Sequence, residues 1–127
     1  MFVAITMRYL TEIEITTLIN PGKTLELFLG QSQHDKDILN WIEICKGRKE
    51  AIELNSYSVY DEGDIDHLDL YSFSPVNPEE DFETIEFPTL ESALVFIRKK
   101  YQLTDLRFVN QGMIQDEYKA LKEKGIA

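Results

Sequence analysis

Hydrophobic and polar positions alternate at the start of the chain. Val3, Ile5, Met7 and Tyr9 are spaced two apart, and so are Ile13, Ile15, Thr17 and Ile19, with Glu12, Glu14 and Thr16 between them. A period of two belongs to a half-buried strand, so both stretches are read as strands. Asn20-Pro21-Gly22-Lys23 reads as a turn, because proline presets φ and glycine accepts positive φ. Leu25, Leu27 and Leu29 then alternate with Glu26 and Phe28, as in the returning strand of a hairpin. Two helical turns over Thr24–Gly30 are the alternative.

The period then changes. Ile38, Trp41, Ile42 and Cys45 fall at i, i+3, i+4 and i+7, which predicts a helix from Gln33 to Lys46. Ser32 would cap it, Asp35 would sit in its positive first turn, and Gly47 with Lys46, Arg48 and Lys49 would suit its end. Ala51–Tyr60 and His67–Ser74 are rich in strand formers and read as a hairpin joined by Asp61-Glu62-Gly63-Asp64. Its apolar set shifts from Ile52 and Leu54 to Tyr57 and Val59, which places a bulge near Asn55-Ser56. Pro75 and Pro78 open an acidic loop that runs to Glu83.

Thr84–Phe87 is a short strand. Thr89 caps a helix whose stripe is Leu90, Ala93, Leu94, Ile97 and Tyr101, with Arg98, Lys99 and Lys100 in its last turn. Leu106–Val109 reads as a short edge strand, and Ile114–Lys124 as a helix with Ile114, Tyr118 and Leu121 on one face, ended by Gly125. The whole is read as a single α+β domain over residues 1–127, a mostly antiparallel sheet packed by two to three helices.

Composition adds a charge argument. The chain has 127 residues, 43% of them hydrophobic, and a net charge of −10. That length buries enough surface to fold without a disulfide or metal, and an acidic surface repels nucleic acid and anionic membranes alike. The acids are also segregated. Between Glu50 and Ile97 there are thirteen carboxylates and no lysine or arginine, whereas the rest of the chain holds ten acids and thirteen bases. Crowded like charges project a field that steers a cationic partner. Tyr57, Tyr60, Tyr71, Phe73, Phe82 and Phe87 lie in the same stretch, and tyrosine beside carboxylate is a common hot-spot composition.

Other chemistry is not signalled. The Asp61, Asp64, Asp66, His67 and Asp69 cluster lacks the glycine and glutamate spacing of a calcium loop, so no metal and no cofactor is expected. His34 and His67 stand far apart. His34 sits at the start of the expected helix, where the dipole opposes its protonation. There is no nucleophile elbow and no glycine-rich phosphate loop, so no enzyme is expected and no catalytic residue is assigned. Cys45 is the only cysteine, which suits packing in a reducing cytoplasm. No leader-like or membrane-spanning apolar run is present, since Arg8 and Glu12 follow Phe2–Ile5 at once.

A small, acidic α+β domain without catalytic residues resembles the immunity proteins of bacterial toxin systems, of the barstar and colicin-nuclease types. Phe87-Pro88-Thr89-Leu90-Glu91-Ser92-Ala93-Leu94-Val95-Phe96-Ile97 is similar to the strand, proline and amphipathic helix of many immunity proteins of contact-dependent inhibition. The resemblance implies a cytoplasmic inhibitor that occludes the cationic site of a basic toxin or nuclease domain. Combined with the charge pattern, it directs attention to Tyr57, Tyr60, Asp61, Glu62, Asp64, Asp66, Asp69, Tyr71, Glu79, Glu80 and Asp81 as the partner-binding set. The alternatives are a non-inhibitory interaction or adaptor domain, a homo-oligomer among its forms, and an enzyme with an unassigned carboxylate site.

Overall fold

The computed structural model describes residues 9–32, 35, 37–64, 66–76 and 83–123. Of the strand expected over Val3–Tyr9, all but Tyr9 lies outside the described residues, and Tyr9 itself is not in a strand. His34 and the acids Glu79, Glu80 and Asp81 also lie outside the described residues.

Ile13–Ile19 is not a strand but part of helix α1, Glu12–Ile19. Thr11 accepts from the Glu14 N–H at 3.2 Å, and the Glu14 carboxylate accepts from the Thr11 N–H at 3.1 Å. This reciprocal cap starts the helix, and Ile15 and Ile19 at i and i+4 are buried while Ile13 is 80% exposed. The alternation of isoleucines coincided with one helical stripe. Gly22, at φ +101, completes the turn out of the helix, as the Asn20-Pro21-Gly22 reading expected.

Strand β1 (Leu25–Gln31) follows where a strand was expected, but a helix precedes it, so the expected hairpin with the preceding segment is absent. The strand carries a register shift between Phe28 and Gly30. The helix expected at Gln33–Lys46 is instead strand β2, Ile38–Lys46. It is the central strand and is covered on both sides, so its polar alternation is lost. Leu39 and Trp41 enter one core and Ile42 and Ile44 the other, and within this apolar run Ile38, Trp41, Ile42 and Cys45 fall on a helical spacing. Gly47 and its cations therefore lie in a hairpin, where Lys49 (φ 54) and Glu50 (φ 65) make a left-handed tip. Strand β3 (Ile52–Tyr60) pairs with β2 residue for residue, so the expected bulge at Asn55-Ser56 is absent; the bulge is in β1.

The second half of the expected hairpin, His67–Ser74, is not a strand either. It is part of a connector that leaves β3, makes one 3-10 turn at Leu70–Ser72, and buries Leu70 and Phe73. Strand β4 (Glu83–Phe87) and helices α2 (Leu90–Tyr101) and α3 (Ile114–Glu123) stand where the sequence placed them, whereas the edge strand β5 is only Val109–Asn110 and overlaps the expected Leu106–Val109 at Val109 alone. Thr89 caps α2, and Ala93, Leu94 and Ile97 are buried as expected.

The result is an α+β fold with an antiparallel five-stranded sheet in the order β4-β3-β2-β1-β5. Helices α1 and α2 pack on one face over Leu25, Leu27, Ile42, Ile44, Ile52 and Leu54. Arg98 of α2 bonds Glu12 of α1 at 2.5 Å and ties the two helices together. On the other face, α3 and the connector cover Leu39, Trp41, Val59 and Val109. Among the described residues, no helix is long and apolar enough to cross a membrane.

Candidate protein-binding site

The acids of the 50–97 block do not share one surface. Ile38 pairs with Tyr60 at one end of the central hairpin and Lys46 pairs with Ile52 at the other. Nine-residue strands put these ends about 25–30 Å apart. Glu50 and Glu53 belong to the second end, where Glu53 stands directly opposite Glu86 across β3 and β4. Glu62, Asp64, Asp66 and Asp69 belong to the first end, and all four are exposed.

Backbone bonds fix that first end. Tyr60 N–H donates to the Ser74 carbonyl at 2.9 Å, and Asp61 N–H donates to the Asp37 carbonyl at 2.7 Å. The second bond brings the segment before β2 alongside the connector, so exposed Asp35 and Asp37 join the acidic group. The sequence reading missed these two because it placed Asp35 inside a helix. Asp64 and His67 exchange backbone bonds at 3.2 and 3.0 Å and make a tight turn. His67 Nδ1 lies 3.1 Å from Asp64 Oδ1, and that hydrogen bond, with one from the Asp66 N–H, holds the Asp64 carboxyl below its usual range. Glu62 accepts from the N–H and the hydroxyl of Ser74, at 2.5 and 2.9 Å. Gly63 is required here: a Cβ on it would stand 2.2 Å from the His67 carbonyl oxygen and 2.4 Å from the Phe73 ring.

A shallow depression of about 380 Å³ opens in this connector, lined by Glu62, Asp66, His67, Leu68, Asp69, Ser72 and Phe73. Carboxylates stand around an apolar floor, an arrangement that takes the stem and head of an arginine or lysine. Tyr60 (42% exposed) and Tyr71 (47% exposed) lie on the same connected segment. Among the described residues, no lysine or arginine forms an ion pair with Glu62, Asp64, Asp66 or Asp69.

Three expected contact residues are engaged internally. Tyr71 is one of them: its ring stays half-exposed while its hydroxyl donates to buried Glu26. The Asp61 carboxylate is 7% exposed and accepts from Lys122 Nζ at 2.6 Å and from the Tyr118 hydroxyl. Tyr57 is half-buried, stacked on Trp41 with centroids 5.0 Å apart, and donates to Glu43 at 2.7 Å. Burial and the bonds to carboxylates push the Tyr57, Tyr71 and Tyr118 hydroxyls above their ordinary range. Cys45 stands half-buried on β2, where burial and the nearby Glu53 push its thiol up, away from the reactive thiolate.

A larger open groove of about 940 Å³ lies between the end of α2 with the segment after it and the middle of β1, β2 and β3. Asn40, Ser56, Ser58, Leu29, Tyr101 and Leu103 are among its lining residues, and its charges are balanced, Lys100 and Arg107 against Asp105 and Glu117. Among the described residues, no group of three His, Cys, Asp or Glu side chains is arranged to hold a metal ion. Comparison with protein-family models, with curated proteins and with solved structures finds no match to this chain.

Proposed function

We propose that this chain is a protein-binding module that docks a cationic protein surface on the acidic end of its central hairpin. The observation that carries this reading is the set Asp35, Asp37, Glu62, Asp64, Asp66 and Asp69: six exposed carboxylates from two chain segments at one end of the hairpin, three of which, Glu62, Asp66 and Asp69, line the depression. Holding them together costs repulsion, and that cost is offset when a cationic partner binds. Tyr60 and Tyr71 add rigid apolar contact beside the charges. More narrowly, the reading is of a cytoplasmic inhibitor of the immunity type. Its carboxylates would occupy the places of substrate phosphates in a basic nuclease-like toxin and occlude that site.

The test is a comparison of two triple charge reversals. One carries Asp64→Lys, Asp66→Lys and Asp69→Lys; the other carries Glu50→Lys, Glu91→Lys and Asp105→Lys, all at exposed positions. Both have the same net charge. Asp64→Lys removes the carboxylate that bonds His67 and the Asp66 N–H, and Glu50→Lys removes the partner of Lys46, so thermal melts of both variants check that the fold is kept. The first variant should lose at least about 10-fold in affinity for the protein captured by the wild type, and the second far less. Equal affinities for the two variants would reject the acidic end as the docking surface. Restored activity of a captured nuclease in the first variant alone would support the inhibitory reading.

A further inference from the structure

Glu26 sits near the start of β1, between β2 and the short edge strand β5, on the face covered by α3 and the connector, and is fully buried. Its Oε2 accepts the Tyr71 hydroxyl at 2.5 Å and its Oε1 accepts the Gly112 N–H at 2.6 Å. These donors come from two separate segments, the 3-10 turn of the connector and the turn between β5 and α3. One carboxyl group therefore fastens both to the sheet.

The surroundings are unusual for a buried acid. Its direct cross-strand neighbour on β2 is another carboxylate, Glu43. Cys45 is the next β2 residue on that face, β3 contributes Tyr57, the connector contributes Tyr71, and α3 contributes Tyr118, whose hydroxyl is already given to Asp61. Among the described residues, no lysine, arginine or histidine bonds to Glu26. Burying a carboxylate with no cation is costly, and the usual relief is a proton. Burial raises the Glu26 carboxyl above its ordinary range and Glu43 adds to this, against the two hydrogen bonds, which lower it.

We propose that Glu26 is a proton-linked latch: protonated, it holds the connector and the β5–α3 turn on the sheet, and ionised, it favours their release to water. The sign follows from linkage. The closed state binds the proton more tightly than a state with Glu26 in water. The extra stability of closure is therefore present below the ordinary glutamate range and lost as pH rises through the folded value. The latch acts on local opening of the segment and stands whether or not a cationic partner binds at the acidic end.

Amide hydrogen exchange across pH, corrected for intrinsic exchange, reads the latch directly. The Ser72, Phe73 and Met113 N–H groups bond to Asp69, Leu70 and Asn110 carbonyls within the two fastened turns. Their protection should fall several-fold from about pH 4.5 to pH 7.5, while that of the β2–β3 amides changes little. Glu26→Gln keeps the geometry, with an oxygen for the Gly112 N–H and an amide for the Tyr71 oxygen, and should hold protection high at both pH values. Tyr71→Phe removes one fastening and should lower protection at Ser72 and Phe73 at acid pH. Flat protection in the wild type, or the same decline in Glu26→Gln, would overturn the proposal.

Discussion

Replacing Trp41 with alanine should cost about 3–5 kcal/mol of folding stability, the range for a buried aromatic. Trp41 is 2% exposed and occupies the central strand, stacked on Tyr57 and edge-on to Tyr71 at 5.9 Å. It packs in the core that α3 and the connector form with the sheet, so truncation leaves a cavity bounded by three separate elements. Its Nε1–H is buried with no hydrogen-bond partner among the described residues, so no hydrogen bond is lost. Trp41→Phe should therefore be much milder: some volume goes, but so does an unsatisfied donor. Urea denaturation of both variants checks this. A loss below about 1 kcal/mol for the alanine variant would mean that the connector layer is not packed on β2 as described.

Asp61→Ala should cost about 2–3 kcal/mol. Removing the carboxylate leaves the hydroxyl of fully buried Tyr118 without its acceptor, and an orphaned buried donor costs about 1–3 kcal/mol. Lys122 also loses a 2.6 Å partner but is partly exposed and regains water, so the ion pair adds little. Asp61→Asn keeps an acceptor for Tyr118 and should recover about half of the loss. Asp61→Asn should leave partner affinity nearly unchanged, because the charge it removes is spent inside the molecule. Thermal melts and a binding titration of the two variants read both effects, and a large affinity loss in Asp61→Asn would place Asp61 back among the contact residues.

The fold class was legible because most elements carry local signals that tertiary packing does not contradict. Thr89 and the Leu90, Ala93, Leu94, Ile97 stripe specify α2, and Asn20-Pro21-Gly22 specifies a turn. The errors have physical causes. A strand buried on both faces has no polar alternation, and in β2 the residues Ile38, Trp41, Ile42 and Cys45 fell by chance on a helical spacing. The signal for a strand was the β-branched and aromatic content of the same residues. In α1 the alternating isoleucines outweighed Thr11-x-x-Glu14, a capping box that was visible in the sequence. His67–Ser74 has strand-forming residues, but Leu70 and Phe73, three apart, are buried in the same core, which the 3-10 turn at Leu70–Ser72 brings about.

The site was legible in part. Tyr60, Glu62, Asp64, Asp66, Asp69 and Tyr71 are exposed and lie on one connector. The sequence could not separate Asp61 and Tyr57 from that set, because their partners Lys122, Tyr118 and Glu43 are distant in the chain. Buried Glu26 was equally hidden: alternation with leucines gives no sign that both faces of β1 are covered.

The association rate of the wild-type chain with its captured partner, measured against ionic strength, tests the acidic docking surface most directly. Steering between unlike charges raises the rate by about 10–1000-fold at low salt and is screened over about 10 Å at 0.1 M. The rate should therefore fall steeply with added salt while the dissociation rate changes little. In the Asp64→Lys, Asp66→Lys, Asp69→Lys variant the rate should start low and stay nearly flat. A wild-type association rate that does not depend on salt would contradict the claim that this acidic end receives a cationic partner.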